Sequence, residues 1–209
     1  MPFGYLGTTP NQQLKNSGVF SVEEALQVQK DGEWGGSLEL IAEQTISNSL
    51  IDFTSLQENK YDVLVFKFID VKPNATGNIG MRLSNDGGSS YGVTNYQYAW
   101  QRGKSSGSFD EIKNTNKNRI IIAGDVTTTG SYNLYLYCYN FGNSSKYSFV
   151  NTQVVAEYSS TSNDTIINFG GGVQPTAEVH NAVRFGTLDF NALASGTIKL
   201  FGVKQIWVT

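Results

Sequence analysis

The run 132–141, YNLYLYCYNF, constrains this chain more than any other stretch. In a strand, successive side chains point to opposite faces. One face then carries Tyr132, Leu134, Leu136 and Cys138, and the other Tyr135, Tyr137, Tyr139 and Phe141. A half-exposed antiparallel strand shows one polar face. Here the polar residues are Asn133 and Asn140, near the ends. The strand must therefore be covered on both sides, by its own fold on one and by something else on the other. Tyr135, Tyr137, Tyr139 and Phe141 are the candidate interface residues. A neighbouring subunit, the chain's own helix or loops, and a glycan are the covers to weigh.

The other bounds agree with a covered, assembling β-domain. The 209 residues suit one large β-domain, or one domain plus an arm, with a core that needs no disulfide or metal. Aromatic residues make up 12% and there are 22 glycines, which fits many strands and tight turns. Charged residues make up 16%, against about 25% in ordinary soluble domains. A surface short of charge is often one that is covered in use. The net charge of −3 gives no basic footprint for nucleic acid. No stretch approaches the roughly 18 apolar residues of a membrane span. The opening residues MPFGYLGTTPNQQLKN lack the basic and apolar blocks of a signal peptide, which points to synthesis in a cytoplasm.

The expected architecture is all-β: an antiparallel β-sandwich, of jelly-roll type, with an extended N-terminal arm and one short helix. Residues 1–36 form the arm. Ser21 with Glu24 makes a capping-box pattern, Phe20 precedes the cap, and Gly32 can end the helix. A helix of about nine residues does not stand alone in water. Phe3, Tyr5, Leu6, Val19 and Phe20 lie in glycine- and asparagine-rich chain that cannot build its own core, so they are the candidate anchoring residues. Residues 37–209 form the sandwich. The expected strands are 38–47, 50–54, 61–71, 79–84, 96–101, 119–123, 132–141, 146–158, 165–169, 179–186 and 196–208. Turn clusters at Asn85-Asp86-Gly87-Gly88, Thr129-Gly130, Gly142-Asn143-Ser144 and Gly170-Gly171-Gly172 punctuate them. The polar stretch 102–118 reads as a surface loop.

The chemical inventory is thin. His180 is the single histidine and Cys138 the single cysteine, so no multi-histidine or cysteine metal site can form. His180 reads as structural or surface, and Cys138 as a buried small hydrophobe. Gly103-Lys104-Ser105-Ser106-Gly107 matches G-x-S-x-G, but a nucleophile elbow needs a helix after it and none is signalled. Tyr98 stands where a P-loop needs its first glycine. Asp62, Asp70, Asp110 and Glu111 read as solvated surface rather than a glycosidase pair. Asp86 lacks the alternating ligands of a calcium loop. The Asn74, Asn143 and Asn163 sequons read as turn residues. Trp34, Trp100 and Trp207 are either sugar platforms or buried aromatics, the second being the commoner use. No catalytic residue, cofactor or metal is expected.

Several segments together resemble small tailed-phage virion proteins. Asn16-Ser-Gly-Val-Phe-Ser-Val-Glu-Glu-Ala-Leu-Gln, with Glu33-Trp34-Gly35-Gly36 after it, is similar to their N-terminal segment. Ile51-Asp52-Phe53-Thr54-Ser55-Leu56, Met81–Tyr91 and Ile198-Lys199-Leu200-Phe201-Gly202-Val203-Lys204 are similar to their sandwich part. The resemblance spans most of the chain, and the order of the segments is its stronger sign. It implies a non-enzymatic structural role on a capsid surface or in a tail fibre, and it supplies no site residues. With the low charge, the arm and the doubly apolar strand, the expectation is a capsid decoration (cement) protein. It would bind the major capsid protein of the assembled shell as a homotrimer, on a virion put together in the host cytoplasm. The alternative is a tail-fibre or fibre-tip domain that recognises a host glycan.

Overall fold

The computed structural model describes Glu23 and residues 38–157, 164–187 and 191–203. The chain divides into two units, Met1–Gly36 and Ser37–Thr209. The anchoring residues Phe3, Tyr5, Leu6, Val19 and Phe20, the rest of the expected helix, Trp34 and Trp207 lie outside the described residues.

Among the described residues the second unit is all-β, with two antiparallel sheets packed together as a sandwich. Its strands are β1 (Leu38–Ser49), β2 (Ile51–Phe53), β3 (Val63–Pro73), β4 (Gly77–Ser84), β5 (Tyr96–Lys104), β6 (Phe109–Lys117), β7 (Ile120–Val126), β8 (Tyr132–Tyr139), β9 (Ser148–Glu157), β10 (Thr165–Gln174), β11 (Ala182–Gly186) and β12 (Leu193–Val203). The large sheet has eight strands in the order β1-β12-β3-β8-β9-β10-β5-β6, and the small sheet four in the order β2-β11-β4-β7.

Strand alternation builds the core between them. From the large sheet come Leu64, Phe66, Phe68, Leu134, Leu136, Cys138, Val150, Val154, Ile198 and Leu200; from the small sheet come Ile51, Phe53, Met81, Leu83, Val183 and Phe185. Phe185 is the hinge of this packing. Its ring meets Phe53, Phe66 and Phe68 edge-on at 6.3, 5.0 and 4.9 Å, the arrangement that the aromatic quadrupole favours.

Three expectations are corrected. Residues 109–117 are not loop but strand β6, paired with β5 through Trp100↔Ile112 and Arg102↔Asp110. FDEIKNTNK shows no apolar alternation because it is an edge strand with most of its side chains exposed, and charge on an edge discourages stray pairing. Gly170, Gly171 and Gly172 are not a turn but the middle of β10. A Cβ on Gly170 would stand 2.4 Å from the Ala99 carbonyl oxygen, and one on Gly171 2.4 Å from that of Val150. Glycine is there because neighbouring backbones approach too closely for any side chain. Finally, Phe141 does not share the tyrosine face. The strand ends at Tyr139, Asn140 turns with φ 65°, and Phe141 is buried in the core beside His180.

Candidate functional site

The tyrosines of β8 point out of the large sheet, while Tyr132, Leu134, Leu136 and Cys138 are buried beneath them. Tyr135 and Tyr137 meet edge-on at 5.8 Å, and Tyr137 and Tyr139 stack at 6.5 Å. The Tyr135 hydroxyl donates to Gln153 Oε1. No described helix or loop residue buries this row.

The row belongs to a wider face that the sequence pattern of β8 could not reveal. Register places Tyr139 beside Phe149, Tyr137 beside Asn151, Tyr135 beside Gln153 and Asn133 beside Val155. One strand further, Val173, Gly171, Phe169 and Ile167 continue the same rows, and then Gln97, Ala99, Gln101 and Gly103 of β5. Tyr135, Phe149, Val155, Ile167 and Phe169 are each 44–47% exposed. Among the described outward residues of β8, β9, β10 and β5, Glu157 at the end of β9 is the one charge. Lysines and glutamates return at the margins. On β3, β12 and β1 they are Lys67, Lys199 and Glu43; on β6 they are Glu111 and Lys113. An apolar, amide-rich centre ringed by charge is the anatomy of a protein interface.

Two grooves flank the ridge formed by β8 and β9. One, about 740 Å³, lies over Ala99, Gly171 and Gly172, between Phe149 and Val173 on one side and Lys113, Asn114 and Thr115 on the other. The other, about 680 Å³, runs over Val65 between Tyr135, Tyr137 and Val155 on one side and Leu38 and Phe201 on the other.

The candidate catalytic groups are placed otherwise. Ser105 sits in the β5–β6 hairpin, where Gly107 N–H donates to the Lys104 carbonyl and strand β6 follows instead of a helix. Its hydroxyl oxygen accepts from the Thr165 amide at 2.9 Å. Asp110 pairs with Arg102 and Lys104 at 2.8 and 3.0 Å, which lowers its pKa, the Lys104 hydrogen bond leading. Trp100 is buried in the core and offers no platform. The Asp86 carboxylate accepts from the hydroxyls of Ser84 and Ser90 and from the Ser90 amide. The Ser84 bond first, then the Ser90 bonds, hold its pKa down at about 2. Among the described residues no group of three or more His, Cys, Asp or Glu side chains is placed to hold a metal ion.

One constellation was not legible in sequence. His180 Nδ1 lies 2.7 Å from Ser148 Oγ, and Nε2 lies 3.2 Å from Glu178 Oε1. Burial lowers the His180 pKa, with Glu178 opposing. The neutral ring then accepts from Ser148 and donates to Glu178. Serine, histidine and glutamate in hydrogen-bonded order suggest a nucleophile relay, but Ser148 is 0% and His180 2% exposed. A substrate carbonyl cannot reach that oxygen. The group instead ties the start of β9 to the chain before β11, helped by the His180 amide donating to the Phe141 carbonyl at 2.8 Å. Buried Cys138 is likewise closed, its thiol pushed well up by desolvation.

No protein-family model, curated protein or solved structure matches this chain.

Proposed function

We propose that this chain is a non-enzymatic virion structural protein, a capsid decoration protein that assembles as a trimer and stabilises the shell of a tailed phage. The observation that carries the assembling role is the outer face of β8, β9, β10 and β5: aromatic, amide-rich and almost without charge. The phage setting rests on the ordered sequence segments that resemble virion proteins. The strand order supports reading the sandwich as a jelly roll. Strands β1-β12-β3-β8 lie opposite β2-β11-β4-β7, two four-stranded layers with the pairing of a doubled Greek key. The β5–β6 and β9–β10 hairpins are then additions that widen one layer. They create the outer face, so the departure from a minimal eight-stranded roll coincides with the proposed function.

A decoration protein binds the assembled shell and not its free subunits. Its binding free energy therefore adds to shell stability, about 2.7 kcal/mol per site at a concentration a hundredfold above Kd. The chemistry fits that role. The Ser148 hydroxyl beside His180 is sealed in the core, and Ser105 lies in a hairpin followed by a strand instead of the helix of a nucleophile elbow.

The groove beside Phe149 favours one second reading. A ring face with Gln97, Lys113 and Asn114 nearby is also what a sugar needs, so a fibre-tip domain binding a host glycan is the rival. Electron microscopy of intact particles with the chain labelled separates them. Label at regular positions on the shell is expected. Label confined to fibre tips supports the rival, and particles without label overturn both.

A further inference from the structure

We infer that copies of this chain meet ridge into groove: the tyrosine ridge of β8 on one copy seats in the glycine-floored groove between β10, β5 and β6 of the next. This rests on the reading that the outer face is covered in a self-assembly, and it adds which two surfaces meet.

Area is the first argument. Tyr135, Tyr139, Phe149, Val155, Ile167 and Phe169 are 36–47% exposed. With aromatic side chains of 150–250 Å², these leave roughly 500 Å² of contiguous apolar surface, near the upper limit for an uncovered patch on a monomer. Adding the intervening amides brings the face to roughly the 800 Å² per partner of a standard specific interface. In a closed ring each copy commits that area across two contacts, its ridge to one neighbour and its groove to the other.

Charge argues for a second copy as the occupant. A face carrying a strong charge of one sign repels itself. Here Asn133, Asn151, Gln153, Gln97 and Gln101 are neutral, and each amide both donates and accepts. Such a face is compatible with its own copy. Because decoration needs a defined oligomer, the copy is the simplest partner of that chemistry.

Shape assigns the two sides. The groove floor cannot be filled by this chain, since a Cβ on Gly171 would strike the Val150 carbonyl oxygen. The trough is built into the backbone. Its far wall, Lys113, Asn114 and Thr115, is polar. A tyrosine inserted from outside buries its ring on Ala99 and Gly171 and brings its hydroxyl to that wall, with the Lys113 ammonium in reach of the ring face. The ridge and the groove are different patches of one face, so the contact is heterologous. It must close into a ring or it would run on as a filament, and a trimer closes it.

Sedimentation of the full-length chain tests this. The expected species has three times the 22.9 kDa chain mass. Ala99→Lys in the groove and Tyr139→Lys on the ridge should each weaken self-association by roughly a hundredfold, since each sets a like charge beside Lys113 at the contact. Their melting temperatures should stay near wild type, since both side chains are exposed. Should Ala99→Lys fail to fold, Lys113→Glu on the exposed edge strand takes its place. Mixing the two variants is the decisive step. The intact ridge of one then meets the intact groove of the other, and a two-chain complex should form that neither variant forms alone. A mixture that stays monomeric overturns the ridge-into-groove assignment. A wild-type trimer untouched by either variant also overturns it, while self-assembly stands. A wild-type monomer that still labels shells overturns self-contact and leaves the decoration reading in place.

Discussion

The two outer faces of this sandwich solve opposite problems. On the small sheet, one cross-strand row reads Asp52, Arg184, Arg82. Arg184 donates twice to Asp52, at 2.6 Å each. Tyr91 lies over the guanidinium at 4.2 Å, and Arg82 Nε donates to the Asn118 carbonyl at 2.9 Å. The two arginines are neighbours, yet each has its own acceptor, so this face is settled within the monomer. The matching rows of the large sheet hold Tyr137, Asn151, Gly171 and Ala99, or Tyr139, Phe149, Val173 and Gln97. Both faces obey the same alternation over a shared core. Where alternation places paired ions outside, each ion has its partner within the chain; where it places aromatics and amides outside, the proposed neighbour is a second copy of the chain.

The largest effect should come from breaking what both faces share. Phe185→Ala empties the meeting point of Phe53, Phe66 and Phe68, and should cost about 3–5 kcal/mol. Chemical denaturation should then show both faces lost in one transition. Two separate transitions would mean that the sheets fold independently and that the comparison concerns two domains.

Next is the outer face of the large sheet, the proposed interface. Tyr137→Ala should raise the self-association Kd by roughly thirtyfold, the effect of losing about 2 kcal/mol at an interface aromatic. The monomer should lose only its contacts with Tyr135 and Tyr139, lowering Tm by about 2–4 °C. Loss of the fold itself would place Tyr137 under the chain's own cover. Loss of sugar binding with the oligomer intact would favour the fibre-tip reading.

How much of this was legible in the sequence differs between elements. The inward row of β8 and the outward tyrosines follow from period-two alternation in one strand, and the sequence displays them openly. Phe141 was misplaced because alternation was extended through Asn140, where a left-handed residue ends the strand. Strand β6 was missed because an exposed edge strand needs no apolar side chains; its pairing with β5 is a tertiary fact. Gly170 to Gly172 looked like a turn because composition does not distinguish chain reversal from crowded backbone. The face itself became visible only through register, which sets Phe149 beside Tyr139 and Phe169 beside Gln153. Ser148 and Glu178 reach His180 from different positions in the chain, and no spacing rule would have joined them.

The settled face should respond more weakly. Asp52→Ala leaves Arg184 without its carboxylate. Both side chains are about one-third exposed, so water screens the loss to about 1 kcal/mol. Thermal melts should record it, and sedimentation should show self-association unchanged. A weakened oligomer would mean that the small sheet also faces a partner.

Acid gives the smallest and most selective contrast. Burial lowers the His180 pKa from 6.5, so the unfolded chain binds the proton more readily. Stability from the neutral ring is therefore complete above 6.5 and is lost as pH falls through that value toward the lowered folded one. Asp86 adds a second window. Its pKa falls from 3.8 to about 2, so its contribution is present above 3.8 and disappears between there and about 2. Both groups lie in the loops flanking β4 and β11, where the Asn181 amide also donates to the Ser84 carbonyl at 2.9 Å. Among the described outward residues of β8, β9, β10 and β5, Glu157 is the one acidic side chain, set at a strand end. Moderate acid should thus lower Tm while the oligomer persists, and His180→Asn should flatten the decline just below 6.5. A wild-type Tm that is level from neutral pH down to about 5 would deny His180 this role. Dissociation over the same range, with Tm unchanged, would show that protons act on the assembling face instead.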